Sequence, residues 1–117
     1  MSTIRMAVVG AGSWGTTVAS LASENTPTTL WARRGDVADE INRDHRNSTY
    51  LGDLQLGASL RASSSLEETV SGADVVVMAV PSHGFRAVLE EAAPLVRPWV
   101  PIVSLSKGLE QGTLLRM

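Results

Sequence analysis

Three glycines follow a short apolar run near the start of the chain, in the stretch VVGAGSWGTT at residues 8–17. They are Gly10, Gly12 and Gly15, and their spacing fits the pattern G-x-G-x-x-G. Between a buried strand and a helix, such a pattern can hold a dinucleotide. The first glycine permits a tight turn, the second lets a pyrophosphate approach the backbone, and the third lets the helix pack closely on the strand. The bare pattern also fits a purely structural turn. The secondary structure predicted on either side of it distinguishes a dinucleotide-binding turn from a structural one.

Two arginines follow the second predicted strand and bear on which dinucleotide would bind. A carboxylate at this position would accept hydrogen bonds from the ribose 2′-hydroxyl and indicate NAD. Here the strand ends at Arg33 and Arg34, and the first carboxylate is Asp36. Two guanidinium groups can hold a 2′-phosphate or stack on adenine, which favours NADP and leaves NAD open. The alternative is that both arginines are solvated loop charges.

Two further stretches lie at predicted strand ends, where an open α/β sheet binds its ligand. One is AVPSHGF at residues 79–85, which includes Pro81, and the other is SLSKGLE at residues 104–110. The second contains Lys107, the chain's single lysine. An ammonium group at this edge can pair with a phosphate or polarise a substrate oxygen. The competing interpretation is an ordinary surface charge.

The elements that must position these residues alternate between strands and helices. Nearly continuous apolar runs predict buried strands, and apolar residues at helical spacing predict the helices. The predicted strands are residues 3–9, 26–33, 73–80 and 101–106, with a short one at 59–63; the predicted helices are residues 13–23, 35–45, 65–72 and 82–95. In the first helix Val18, Leu21 and Ala22 are expected to face the core, and Ser82 is expected to cap the last. This order predicts an α/β fold, a doubly wound and mainly parallel sheet; the runner-up is a smaller α+β sandwich.

Size and composition exclude several classes of protein. A chain of 117 residues with 44% hydrophobic residues fits one folded domain. A net charge of -2 gives no general attraction to nucleic acid or anionic membranes, and the absence of cysteine rules out thiolate metal sites. No signal peptide or membrane span is visible, so a cytoplasmic location is expected. His45 and His83 are too far apart in sequence to suggest a metal site. Trp31 and Trp99 are expected in the core.

Taken together, the motifs resemble the cofactor domain of the bacterial-type NAD(P)-dependent glycerol-3-phosphate dehydrogenases. The matching pieces occur in the family order and span Val8 to Glu110. They are GAGSWGT, LWARR, NSTYL, AVPSHGF and SLSKGLE. GAGSWGT and SKGLE together are fairly specific, whereas G-x-G-x-x-G alone would fit many dehydrogenases. The resemblance implies that residues 1–117 form a Rossmann-like N-terminal domain, truncated before a helical C-terminal domain.

The resemblance also implies roles for single residues. Ser13 and Trp14 would contact the cofactor from the glycine turn, Tyr50 would lie near the adenosine end beside the arginines, and Lys107 would reach both the nicotinamide and the substrate. The implied reaction is reversible hydride transfer between NAD(P)H with dihydroxyacetone phosphate and sn-glycerol 3-phosphate, feeding phospholipid synthesis. In that family the general acid/base lysine lies downstream of Met117, so the chain by itself is expected to be inactive. The parent enzyme would be cytoplasmic and would act on a small-molecule substrate, with no nucleic-acid partner. A homodimer is a candidate for its oligomeric state.

The same residues leave two other functions open. One is the cofactor domain of another dehydrogenase with a following helical domain, of the hydroxyacid or ketopantoate reductase type. The other is a non-catalytic nucleotide-binding or interaction module that has kept the fold. The stretch SLSKGLE argues against the first, and cofactor binding would argue against an interaction module.

Overall fold

The computed structural model describes residues 4–105, with the backbone alone for residues 82 and 83. Five parallel strands lie in the order β3-β2-β1-β4-β5. The strands are β1 (Met6–Val9), β2 (Thr28–Trp31), β3 (Arg61–Ser63), β4 (Val75–Met78) and β5 (Ile102–Ser104). The helices are α1 (Ser13–Ser23), α2 (Gly35–Asp44), α3 (Ser48–Leu51), α4 (Leu66–Val70) and α5 (Ser82–Ala92), and a 3-10 turn at Ala93–Leu95 extends α5. Parallel pairing throughout confirms the α/β prediction and excludes the α+β sandwich.

The central strands β1, β2 and β4 are covered on both faces, as a doubly wound fold requires, whereas Ile102 and Val103 on the edge strand β5 are exposed. Successive residues of a strand point to opposite faces, so Ala7 and Val9 join one core while Val8 joins the other. The first core also contains the buried side chains of α4 and α5, such as Val70 and Val88. The second contains those of α1 and α2, such as Ala19 and Ile41. Burial on both faces explains why the strands read as continuous apolar runs.

The helix boundaries follow local chemistry. Ser65 is the N-cap of α4, and its hydroxyl accepts a hydrogen bond from the Glu68 backbone N–H at 3.2 Å. His45 ends α2 in the left-handed conformation, with φ of 56°. The N-cap of α5 is Pro81 and Ser82 is its first helical residue, so the prediction that Ser82 caps this helix is wrong by one position. Helix α3 was not predicted, because four residues are too few to show a hydrophobic period.

Two predictions about apolar side chains are wrong. Leu21 is 61% exposed, and the buried residues of α1 are Gly15, Thr16, Ala19 and Ser23. Small residues fill this face because α1 lies very close to the sheet. Trp99 is 73% exposed and stacks with the Arg97 guanidinium, 5.6 Å from its ring centroid, although Trp31 is buried as expected.

None of the helices within residues 4–105 has the length and apolar character needed to cross a lipid bilayer. The same part of the chain contains no group of three or more His, Cys, Asp or Glu side chains that could hold a metal ion. The prediction for His83 concerns a side chain that lies outside the described part.

The two leucines that differ most in burial provide a test of this architecture. Leu30 on β2 is fully buried, and Leu21 on α1 is not. We expect Leu30→Ala to lower the free energy of unfolding by about 2–5 kcal/mol, because it leaves a cavity in the core between α1, α2 and the sheet. Leu21→Ala should change it by less than about 0.5 kcal/mol. Urea unfolding followed by circular dichroism measures both values, and equal losses would contradict the placement of α1.

Candidate functional site

A cleft of about 280 Å³ opens where the chain reverses its winding direction, beyond the carboxyl ends of β1, β2 and β4. This switch point is where open α/β sheets bind ligands. Four segments line the cleft: the glycine turn (Gly10, Ala11, Gly12), the end of β2 and the start of α2 (Trp31, Ala32, Arg33, Arg34, Val37), α3 (Tyr50), and the end of β4 (Ala79, Val80, Pro81). Six of the ten residues predicted for the site therefore share one cleft: Gly10, Gly12, Arg33, Arg34, Tyr50 and Pro81.

Two of the glycines are required by the fold itself. Gly10 has φ of +118°, and a Cβ there would lie 2.9 Å from the Ala79 backbone. A Cβ on Gly15 would lie only 2.0 Å from the Gly10 carbonyl oxygen and 2.9 Å from the Ala79 Cβ. These contacts are far below van der Waals distance, so only glycine permits this turn and this approach of α1 to the strands. Gly15 does not line the cleft but holds the helix that bounds it.

Gly12 differs, because a Cβ at this position would meet no atom of the described residues within 4 Å. It is the N-cap of α1, and it has no side chain that could accept hydrogen bonds from the first N–H groups of the helix. These groups and the helix dipole together favour an anion at this end of α1. The open space above Gly12 thus lies where a negatively charged group would be stabilised.

The end of β2 brings two guanidinium groups to the cleft and holds each of them differently. Arg33 lies over the Trp31 ring, 5.3 Å from its centroid, and Trp31 Nε1 donates to the Ser64 carbonyl at 3.0 Å. Arg34 donates from Nε and Nη2 to the two carboxylate oxygens of Asp36, at 3.1 and 2.6 Å. This bidentate pair lowers the pKa of Asp36 below its usual value. The edge therefore carries two positive charges against one negative charge.

The remaining predicted residues are not all at the cleft. Ser13 and Trp14 lie on the first turn of α1, both are exposed, and neither lines the described cleft. Trp14 is 62% exposed, so its ring is available to a ligand or to another protein surface. Lys107 lies outside the described residues.

Several residues that bear on the site were missed from the sequence. Trp31 was expected only in the core, but its ring also lines the cleft and supports Arg33. Asn47 was not singled out, yet its fully buried side chain donates a hydrogen bond to the Ala11 carbonyl within the glycine turn. The sequence did offer a signal for Trp31, because an aromatic residue two positions before Arg33 on a strand can lie on the same face as that arginine. A lone asparagine between two helices carries no comparable signal.

A family model for the N-terminus of NAD-dependent glycerol-3-phosphate dehydrogenase matches residues 5–117. The chain belongs to this family. A curated relative from Mycobacterium avium (strain 104), glycerol-3-phosphate dehydrogenase [NAD(P)+], is 58% identical over 114 residues, which are 97% of this chain and 33% of the relative. The crystal structure of glycerol-3-phosphate dehydrogenase from Coxiella burnetii superposes with a TM-score of 0.84 at 32% identity, over 94% of this chain and 34% of that one. The chain thus spans about a third of the length of these relatives.

The fold is shared more widely than the family. A ketopantoate reductase from Ralstonia eutropha JMP134 superposes with a TM-score of 0.78 at 23% identity, over 97% of this chain and 37% of that one. This likeness concerns the fold alone. Family membership therefore rests on the sequence match, and it agrees with the resemblance read from the five motifs.

Substituting the two helix-start glycines should separate their structural roles. Gly15→Ala should lower the free energy of unfolding by about 3 kcal/mol or more, because its methyl group would overlap the Gly10 carbonyl. Gly12→Ala adds a Cβ that meets no atom of the described residues within 4 Å, so its free energy of unfolding should fall by no more than about 1 kcal/mol, the cost of alanine at a helix N-cap. Chemical denaturation of the two variants checks both expectations. A Gly15→Ala protein as stable as Gly12→Ala would contradict the close packing of α1.

Proposed function

We propose that this chain is the NAD(P)-binding domain of an sn-glycerol-3-phosphate dehydrogenase. The observation that carries the proposal is the cleft at the switch point, where open space above Gly12 and the start of α1 meets two guanidinium groups. Membership of the family makes a dinucleotide the expected ligand. A cleft of about 280 Å³ lies just below the range of roughly 300–1,000 Å³ for small-molecule sites. It suits part of a dinucleotide better than the whole.

The residues of the cleft fit such a cofactor. Gly12 and the first N–H groups of α1 would bind the pyrophosphate, because nothing occupies the space over Gly12. Arg33 and Arg34 would bind the adenosine end, in a cleft that Tyr50 and Pro81 also line. Ser13 and Trp14, which the family resemblance assigns to the cofactor, would contact it from the exposed first turn of α1. When bound, a nicotinamide cofactor supplies a hydride.

The charge of the cleft favours NADP and is compatible with NAD. The contact of the Arg33 guanidinium in this cleft is with the Trp31 ring, 5.3 Å from its centroid, and not with a carboxylate. In Arg34, Nε and Nη2 already donate to Asp36. Arg33 is therefore the better partner for a 2′-phosphate, since Arg34 would first have to give up hydrogen bonds. The M. avium relative is named for both cofactors, as NAD(P)+.

The proposed reaction of the whole enzyme is hydride transfer between NAD(P)H with dihydroxyacetone phosphate and sn-glycerol 3-phosphate, for phospholipid synthesis. Lys107 would contact the nicotinamide side and the substrate phosphate, on the resemblance of SLSKGLE. No residue of the chain has the role of general acid/base in this proposal, so residues 1–117 should bind cofactor without turnover. A cytoplasmic location and a homodimeric parent belong to the same proposal.

Direct binding separates this function from its rivals. Isothermal titration calorimetry of the chain should detect both NADPH and NADH, whereas an interaction module should bind neither. Gly12→Leu should abolish binding of both cofactors by filling the space for the pyrophosphate, while its free energy of unfolding falls by only about 1 kcal/mol, the cost of an apolar residue at a helix N-cap. Unchanged affinity in Gly12→Leu would mean that the glycine turn is not the phosphate site. The substrate is tested with a full-length parent enzyme by measuring the oxidation of NADPH. Oxidation is expected with dihydroxyacetone phosphate and not with ketopantoate, and no oxidation above background with dihydroxyacetone phosphate would contradict the assignment.

The arginines provide a separate test of cofactor choice. Arg33→Ala should weaken NADPH binding roughly tenfold or more and NADH binding only a few-fold, because charge-assisted hydrogen bonds contribute about 1.5–3 kcal/mol each before screening. Arg34→Ala should have a smaller effect, since two of its donors are engaged with Asp36. Arg43 forms a similar exposed pair with Asp44 and does not line the described cleft, so Arg43→Ala is the matched control and should change neither affinity. Equal losses for the two cofactors would indicate stacking on adenine instead.

A further inference from the structure

We propose that Asn47 is a positioning residue of the cleft. Its side chain and backbone hold two walls of the cleft, the glycine turn (residues 10–12) and helix α3 with Tyr50, at a set separation. The inference rests on the proposed cofactor function and deepens it. Asn47 does not line the cleft and would not touch the cofactor. It would act through the main chain of the residues that do.

The side chain of Asn47 contacts the glycine turn directly. Its Nδ2 donates to the Ala11 carbonyl and to Thr16 Oγ1, each at 2.9 Å. Ala11 lies between Gly10 and Gly12, and Thr16 follows Gly15 on the buried face of α1. One amide group therefore ties the middle of the turn to the first turns of the helix. Asn47 and Thr16 are both 0% exposed, so water does not compete for these bonds.

The backbone of Asn47 holds the second wall, helix α3 with Tyr50. Its carbonyl accepts hydrogen bonds from the N–H groups of Leu51 at 2.8 Å and Tyr50 at 3.2 Å, which starts α3 and places Tyr50 at the cleft. The next residue, Ser48, donates its N–H to Glu40 Oε1 at 3.1 Å and so anchors this point to α2. Asn47 is thus bonded to both walls of the cleft at once.

The unpaired atom of the same amide argues against a role in packing alone. Asn47 Oδ1 is buried and has no hydrogen-bond partner in the part of the chain that the structure describes. An unsatisfied buried acceptor destabilises the folded state, and such atoms call for an explanation. A side chain of similar volume without polar atoms would avoid that cost, but it could not hold the Ala11 carbonyl. The arrangement places the donor where the turn needs it and leaves the acceptor unpaired.

Asn42 offers a matched control on α2. Its Nδ2 donates to the Ala62 carbonyl and its Oδ1 accepts from the Ala62 N–H, both at 2.8 Å. It also makes two side-chain hydrogen bonds between elements, but these join α2 to β3 and touch neither wall of the cleft. Loss of either asparagine should weaken the fold, whereas only loss of Asn47 should move the glycine turn.

The test compares Asn47→Ala with Asn42→Ala in this 117-residue chain, at a temperature where both are folded by circular dichroism. In the absence of cofactor, amide resonances of Gly10, Gly12 and Tyr50 should shift in Asn47→Ala and stay in place in Asn42→Ala. In calorimetry, Asn47→Ala should bind NADPH and NADH roughly tenfold more weakly, because small displacements of binding groups are costly. Asn42→Ala should bind both within twofold of the wild type.

Several outcomes would overturn the inference. They are unshifted amides in Asn47→Ala, cofactor affinities within twofold of the wild type, or equal losses in the two variants, which would indicate general loosening. If Asn47→Ala does not fold, Asn47→Leu decides by the same criteria, since it fills the space and removes the unpaired oxygen. If the wild type binds neither cofactor, the proposed function fails, and the amide shifts still decide whether Asn47 holds the two walls.

Discussion

The close contact between α1 and the strand ends is the constraint on which the site depends. No side-chain carbon separates Gly15 from the Gly10 carbonyl, because a Cβ there would lie 2.0 Å from that oxygen. The helix can therefore begin directly over the carboxyl ends of β1 and β4, where the Ala79 Cβ lies 2.9 Å from the same Cβ position of Gly15. A helix held farther away would leave its first N–H groups outside the cleft. The position that a phosphate would occupy thus follows from the absence of one methyl group.

Strand register then brings distant parts of the chain to the same edge. Val9 pairs with Trp31 on one side and with Met78 on the other, so three strands end at one level. The residues that follow each strand, Gly10, Ala32 and Ala79, all line the cleft. Parallel strands make this arrangement unavoidable, because every connection must return to the opposite end of the sheet before the next strand begins. The site is in this sense a property of the topology, and the residue types decide what it binds.

The sequence predicted the elements well where apolar patterns were long, and six of the residues proposed for the site, in motifs that follow strands, line one cleft. It failed where a short distance between helix and sheet changes which side chains can be buried. Leu21 was expected in the core, but at the short distance that Gly15 permits, only small residues fit against the sheet. Hydrophobic periodicity assumes ordinary helix–sheet spacing and therefore selected the wrong face. Trp99 failed for another reason: it lies in a turn and not on a strand or helix, and it remains 73% exposed beside the Arg97 guanidinium. Asn47 was missed because its importance lies in partners 31 and 36 residues away.

Charge at the end of β2 shows how neighbouring residues share one task. Trp31 is buried and fixed by the Ser64 carbonyl, so it presents a rigid surface for Arg33. Asp36 holds Arg34 through two hydrogen bonds on an exposed surface, where such pairs are weak enough to exchange. A dinucleotide without a 2′-phosphate would meet this edge with the Arg34–Asp36 pair intact, while one with the phosphate would compete with Asp36 for Arg34. The same three charges can therefore serve either ligand, because one guanidinium is held by a ring and the other by a carboxylate that it can exchange.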